Sequence, residues 1–487
     1  MVNKEQYLPQ PTPVSDTLIM QSKGQAMKVG ILPLGRPTFD VEFAEHKLSQ
    51  MLEQLALSNH QIVGPSTLLF DEAATRQAMA ELHDEDIDQL LILQVTFTDT
   101  SMAVAAAAEF DQPLSIWAVP EPRVGGRLRL NAFCGLNLAS HALGLNERKF
   151  SWLYADPADD SISALNSLFE NQRQAGRLEA GPAESFESPE GQRIAKAING
   201  RRIARIGEHP KGFDTCAYSA DQICELSGVT VEALELDELF TAARAVPAAE
   251  AAQVRKLAEA TLEGLDEVDA EELDRSLRLK SGLDAIRKKG GYDAFAIRCW
   301  PETFTEYGGS VCGPASMLGE AKIPCACEAD VYGALTQLIL QEVADAPVFL
   351  TDLVDMDKMD NTGVFWHCGQ APISMRDPDI IANATIHTNR KMPLLYEFSL
   401  KPGPITMMRI SQSFNQLKMI LCYGEMLKRP MAFTGTSGVV SFERDAGSVL
   451  DDIIDSGMEH HMALAYGDHR EVLRSVAAAL KLPLLEI

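Results

Sequence analysis

The sequence predicts an α/β protein in three parts: two doubly wound α/β domains followed by a C-terminal antiparallel β-barrel-like domain. Three observations carry that reading. At 487 residues the chain is too long for one core, and a prior of about 150 residues per domain gives three. Through residues 27–304, continuous apolar runs of strand length alternate with helix-length segments, the mark of a parallel sheet covered on both faces. From residue 349, strand-like runs follow at short intervals with Gly and Pro between them, the mark of antiparallel pairing. The expected domains are residues 1–165, 166–348 and 349–487.

The first residues, MVNKEQYLPQPTPVSDT, are polar, lack the apolar stretch of a signal peptide, and read as a flexible or subunit-wrapping arm. KVGILPLG (28–35) is an apolar strand ending in a turn, and FAEHKLSQMLEQLAL (43–57) has helical spacing. QIVGPSTLLF reads as a second strand, DEAATRQAMAELH as a helix with an acidic start, and DQLLILQVTF (88–97) as a fully buried third strand. TSMAVAAAAEF reads as a helix, PLSIWAVPEP (113–122) as a fourth strand and NLASHALGLN as a helix. Ligands on such sheets sit beyond the C-terminal ends of the strands, which singles out Gly35-Arg36-Pro37 and residues 96–100. GILPLGRP lacks the G-x-G-x-x-G spacing, so no dinucleotide site is expected.

A second unit opens with GRRIARIGEHPKGFD (200–214), strand then loop. YSADQICELSG reads as a helix, VTVEALEL as a strand, and residues 237–289 as a long, charged helical region. DAFAIRCWPETF (293–304) returns to a buried strand with Arg298 near its end, where an arginine either pairs structurally or clamps a ligand. GGSVCGPASMLGE is a loop into a helix. The last part runs VFLTDL, TGVFWHCG, NATIHT, LLYEFSLKPGPITMMRIS, KMILCYGEML and SGVVSFE as strands. A helix DAGSVLDDIIDSG, the EHH segment and a final helix HREVLRSVAAALKLP close the chain.

A formal charge of −26 argues against nucleic acid, whose phosphates need clustered Lys and Arg, and against an anionic membrane surface. No run approaches the ~20 apolar residues of a membrane span. Nine cysteines without framework spacing suit reduced thiols in a cytoplasm. Cys325 and Cys327 form a C-x-C pair that no second pair completes into a zinc site, and they read as small buried residues.

The chemistry concentrates in residues 323–372 and near the C-terminus. Glu328, in PCACEADVYGALT, stands at the mouth of an apolar helix, with Asp330 as the alternative helix cap. Asp352 follows the apolar strand VFLT, while Asp355, Asp357 and Asp360 read as solvated loop. His367 lies between Trp366 and Cys368 in a strand, as a ligand, a substrate contact or a satisfied core residue. Adjacent strand residues face opposite ways, so His367 and Cys368 should not meet as base and nucleophile. By the same rule only one of His460 and His461 should reach a site, and His461 is the one favoured; His469 reads as a helix start. The bland alternatives are a cap, a turn residue and a core histidine. Together, two carboxylates and one or two imidazoles make a divalent metal site suited to Mn²⁺ more than to structural Zn²⁺.

EADVYGALT, FLTDL, WHCG-x-AP and EHHMALAYGDH, in that order, resemble the core motifs of the L-fucose and L-arabinose isomerase superfamily, especially its fucose-isomerase-like members. Residues 298–487 carry the resemblance; the N-terminal part matches only as α/β architecture. The resemblance implies aldose–ketose isomerisation through a cis-enediol, with Mn²⁺ on Glu328, Asp352 and His461 and with His367 as a further ligand in the arabinose branch. It makes Glu328 and Asp352 the catalytic pair; read from their places in the chain, Arg36, Arg298, Trp366 and His367 are the candidate substrate contacts. The sugar stays open among pentoses, 6-deoxyhexoses and modified hexoses such as sulfoquinovose, with Arg298 or Arg409 as anion partners. A cytoplasmic homo-oligomer, trimer or hexamer, is expected. The rival is a non-catalytic sugar-binding or sensor protein built on two α/β lobes, which leaves the acids and histidines unexplained. A cysteine-dependent hydrolase would need Cys299, Cys312 or Cys368 accessible beside a base.

Overall fold

A computed structural model describes residues 26–159 and 162–487; the expected N-terminal arm lies outside them. The first part alternates β1 (Lys28–Leu34), α1 (Val41–Ala56), β2 (Gln61–Val63), α2 (Glu72–His83), β3 (Gln89–Gln94), α3 (Ser101–Glu109), β4 (Leu114–Ala118), α4 (Ala132–Leu145), β5 (Ser151–Tyr154) and α5 (Ile162–Phe169). Its five strands are all parallel, in the order β2-β1-β3-β4-β5. All six residues of QLLILQ in β3 are buried, as an unbroken apolar run between helix layers requires. The second strand is shorter than its apolar run suggests, and β5, only four residues long, was not anticipated.

The second part contains α6 (Pro189–Ile198), β6 (Arg202–Ile206), α7 (Ala220–Ser227), β7 (Thr230–Leu234), α8 (Leu236–Arg244), α9 (Ala248–Glu259), α10 (Ala270–Gly290), β8 (Ala294–Ile297), α11 (Cys312–Glu320), β9 (Cys325–Ala326) and α12 (Val331–Ala344). Its sheet, β7-β6-β8-β9, is again wholly parallel. In both sheets the strand order reverses beside the first strand, at β1/β3 and at β6/β8, where a crevice opens at the C-terminal ends. Helix α12 is buried from Val331 to Gln341 and carries no polar stripe, because it lies between the second sheet and the third.

The third part holds β10 (Phe349–Asp357), β11 (Thr362–His367), β12 (Asn383–Thr385), β13 (Leu395–Ser399), β14 (Gly403–Ser411), β15 (Lys418–Met426), β16 (Thr436–Phe442), α13 (Ala446–Ser456), β17 (His461–Tyr466), α14 (Arg470–Ala479) and β18 (Leu484–Glu486). These strands form one nine-stranded sheet, β12-β13-β16-β11-β10-β17-β14-β15-β18, with a short extra pairing of β15 to β16. Most neighbours are antiparallel, as the sequence suggests. In place of the antiparallel barrel expected, the strands make a large mixed sheet: β13–β16 and β15–β18 pair in parallel, and β15 meets β16 over only three residue pairs. Asp355 also departs from expectation: β10 continues past Asp352 and buries it, where Arg123, Tyr154 and the Glu121 backbone N–H all donate to its carboxylate.

Candidate active site

The three sheets point their loops at one cavity. From the first come Arg36, Phe39 and Phe97, just past β1 and β3; from the second, Trp300 and Glu328, just past β8 and β9; from the third, Asp352, Trp366 and His367. Asp352 on β10 stands directly opposite Trp366 on β11 and His461 on β17, so the three side chains share one face of the third sheet.

Glu328 is not in the helix it precedes. It occupies a tight turn before α12 with φ 57° and ψ 24°, and Ala329 follows at φ 55°. Two successive non-glycine residues in the left-handed region cost about 1–3 kcal/mol each, and such strain gathers at functional sites. The turn aims the carboxylate into the cavity, where Trp300 Nε1 donates to Oε1 (3.0 Å) and His460 Nε2 lies 3.1 Å from Oε2. His461 Nε2 is 3.8 Å from Glu328 Oε2 and 3.4 Å from Asp352 Oδ1. Its other nitrogen, Nδ1, is 2.9 Å from Asp330 Oδ2.

Asp330 is the N-cap of α12, accepting from the Gly333 N–H, as the sequence allowed. It does more: Arg409 grips both its oxygens (2.5 and 3.0 Å), and Glu459 lies 3.7 Å from Arg409 on the far side. An acceptor-only carboxylate on Nδ1 makes Nδ1 the donor and turns Nε2 toward Glu328 and Asp352, the usual way a ligating histidine is oriented.

Asp352 Oδ1 and His367 Nε2 are buried and have no hydrogen-bond partner among the described residues. Leaving such groups unsatisfied costs about 1–3 kcal/mol each, so the site is built for something to fill it. Asp352, His367 and His461 place ligand atoms within 4.8 Å of one another, and Glu328 with His461 and Cys216 does the same. An oxygen- and imidazole-rich set of this kind fits a divalent cation.

Residues 30–173 match the family model described as fucose/sulfoquinovose isomerase, N-terminal domain, and residues 396–487 match L-fucose isomerase, C-terminal domain. A sulfoquinovose isomerase of Clostridium sp. (strain MSTE9) is 31% identical over 460 residues, covering 93% of this chain and 98% of that one. The chain belongs to the fucose/sulfoquinovose isomerase family. It is thereby an enzyme of the aldose–ketose isomerase class. Sulfoquinovose isomerases of Priestia megaterium (30% over 453 residues, 93% and 97% covered) and Alkalicoccus urumqiensis (29% over 457 residues, 94% and 98%) are similar along the same span. One solved structure, an ABC transporter solute-binding protein from Burkholderia multivorans, aligns at 9% identity and TM-score 0.19, covering 66% of this chain and 95% of that chain; so low a score carries no argument.

In this family member, charge is set by close partners. Burial pushes the Glu328 carboxyl up, but the His460 hydrogen bond, the charges of His460 and His461 and the Trp300 N–H outweigh it and hold it at about 2. Asp330 is likewise held well below the usual carboxylate range by Arg409 and His461 against its burial. His461 goes the other way: Asp330, Asp352 and Glu328 raise it despite burial. His367 is lowered to about 4, chiefly by burial, and so is neutral at pH 7. The Cys368 backbone N–H donates to its Nδ1 (2.8 Å), which leaves the ring proton on Nε2, so that in this tautomer His367 offers the cavity a donor and not the further metal ligand expected of it.

Several sequence expectations land elsewhere. Both adjacent histidines reach the site, their ring centroids 3.9 Å apart, because His460 precedes β17 and escapes the strand alternation. Cys368 lines the same cavity as His367, since β11 has already ended, yet its thiol makes no hydrogen bond to the ring among the described residues. Burial raises the Cys312 thiol to about 12 and Cys368 well above its ordinary value, which leaves both protonated and weak as nucleophiles. Arg298 is held by both oxygens of Glu302 (2.6 Å each) and does not line the cavity. Arg409 is fully buried and engaged by Asp330. Trp300 and Arg390 were not anticipated; Trp300 follows a buried strand, and Arg390 sits in a polar turn with no local signal.

Proposed function

We propose that the chain is a metal-dependent isomerase that interconverts an open-chain aldose and its ketose through a cis-enediol, with a 6-sulfo-aldohexose of the sulfoquinovose type as substrate. The observation that carries the chemistry is the meeting of Glu328, Asp352 and the Nε2 of His461 around an unsatisfied buried carboxylate oxygen. The names of the full-length relatives support the substrate. Glu328, Asp352 and His461 would hold the ion, Mn²⁺ in this proposal, and when bound it supplies Lewis acidity toward negative charge developing on the sugar oxygens.

The remaining steps belong to the side chains. One carboxylate of the pair takes the C2 proton and returns it to C1; the other carries the proton of the O2 hydroxyl to the O1 carbonyl oxygen, so that no net proton is gained or lost. Glu328 is ionised across the neutral range, as a base must be. His367, with its proton on Nε2, serves as a hydrogen-bond donor to a sugar oxygen, and Trp366 packs on the same wall. The division at residues 165/166 and 348/349 belongs to the same proposal; each sheet falls within one part, while the first boundary crosses α5.

A cytoplasmic homo-oligomer, trimer or hexamer, is proposed too. Exposed Val124, Met359, Ile380 and Ile381 support it, on loops tied together by the Gly125–Ala432, Asp360–Arg429 and Asp379–Lys428 contacts. A single-chain mass by light scattering would contradict that part.

The direct test is Glu328→Gln and Asp352→Asn. Both are expected to fold with near-native melting and to lose turnover by about 10³-fold or more. Activity close to that of the unmodified enzyme in either would refute the assignment.

A further inference from the structure

We propose that Arg36 and Arg390 form an anion-binding wall of the cavity that receives the sulfonate at C6 of the substrate and so selects charged over neutral aldohexoses. The inference rests on the isomerase reading and adds residues to it.

The two arginines arrive from opposite ends of the chain. Arg36 leaves the first sheet just past β1, at the strand-order reversal where such sheets bind ligands. Arg390 sits in the turn between β12 and β13. Both end on one indole: their guanidinium carbons lie 5.1 and 4.9 Å from the ring centroid of Trp300. Phe97 adds a second ring beside Arg36 (5.7 Å), and Phe304 beside Arg390 (5.6 Å). A guanidinium resting on an aromatic face is held in place while its N–H edge stays free for a planar or forked acceptor.

Arg36 has only a long ion pair with Asp99 and Arg390 has none among the described residues. The carboxylate nearest Arg36 is Asp99, at 3.9 Å, beyond hydrogen-bond reach and already accepting from Ser101. Among the described residues no carboxylate lies within 4 Å of the Arg390 guanidinium, and Glu302, which is in range of its charge, is gripped by Arg298. Burial and the neighbouring Arg390 disfavour the Arg36 charge more than Asp99 and Glu328 favour it. Two like charges brought together in a cavity of a strongly acidic protein, with so little compensation, are stabilised when an anion enters.

The positions are fixed in advance. The backbone N–H of Arg36 donates to Thr96 Oγ1 (2.8 Å). On the other side, His387 Nδ1 accepts from the N–H groups of both Asn389 and Arg390 (3.2 and 3.3 Å), closing the turn, and Arg127 holds the Asn389 side chain (3.0 Å). The same Trp300 donates its N–H to Glu328, so one indole links the anion wall to the reacting end. A neutral C6 group would leave two half-buried cations unpaired, which is how a site rejects an analogue.

The test compares kcat/KM on 6-deoxy-6-sulfo-glucose, 6-deoxyglucose and glucose 6-phosphate for the unmodified enzyme and for Arg36→Gln and Arg390→Gln, with thermal melting as the fold control. The unmodified enzyme should favour the sulfo sugar. Each variant should lose about 30-fold or more on it, mostly through KM, and that loss should exceed its loss on 6-deoxyglucose by about tenfold or more. Equal losses on the charged and neutral sugars would overturn the proposal, as would no loss. A preference for the phosphate would replace the sulfonate with a phosphate monoester and overturn it too. If no sugar is turned over, titration calorimetry with the sulfo sugar decides: binding that both variants abolish upholds the anion wall while the isomerase reading falls, and binding that neither changes overturns it.

Discussion

Asp330 shows how one side chain can be misjudged from its neighbours in sequence. As the N-cap of α12 it looks ordinary, yet it also holds Arg409 and fixes the Nδ1 of His461. We predict that Asp330→Asn lowers divalent-ion affinity about 10–100-fold, measured by chelator competition, because the histidine loses the partner that orients it. It should also lower stability by about 3–5 kcal/mol, since Arg409 would stay buried without its main counter-charge. Unchanged metal affinity in the folded variant would refute the orienting role. At this scale Glu328, Asp352 and His461 were legible as polar groups set against apolar runs, although β10 runs on past Asp352 and His461 opens β17. The Arg298 misplacement was legible as well: Glu302 lies one helical turn on, the spacing of a local ion pair. His460 was hidden by an alternation rule that holds only inside a strand.

Among the elements, the turn at Glu328 and helix α12 matter most, and Gly333 links them. A Cβ there would lie 2.5 Å from Asp330 Oδ2 and 3.2 Å from Arg409 Nη1. Helix propensity alone favours Gly333→Ala by about 1 kcal/mol. The clash should outweigh it and leave the variant about 1–3 kcal/mol less stable by denaturant unfolding, with weakened metal binding. A more stable variant would show that the Asp330–Arg409 pair yields without consequence. Helices and buried parallel strands were readable from their period and apolar runs. The left-handed backbone at Glu328 was not, because nothing in CACEAD marks a positive φ; glycine would have.

The whole molecule explains why no single part suffices for the site. Loops past β1 and β3, residues past β8 and β9, and three adjacent strands of the third sheet each contribute one wall. The two parallel sheets could be inferred from the α/β alternation. The third sheet's outer pairings could not, since β13–β16 and β15–β18 join segments distant in sequence and no local pattern records a parallel partner. The central claim concerns metal-dependent enediol chemistry, and one experiment reaches it most directly. The purified protein is assayed for bound metal and for turnover of a 6-sulfo-aldohexose in D₂O with Mn²⁺, with and without EDTA. The account predicts a bound divalent ion, EDTA-sensitive ketose formation and solvent deuterium at C1 or C2. Turnover indifferent to EDTA, or tight sugar binding with neither metal nor exchange, would contradict it.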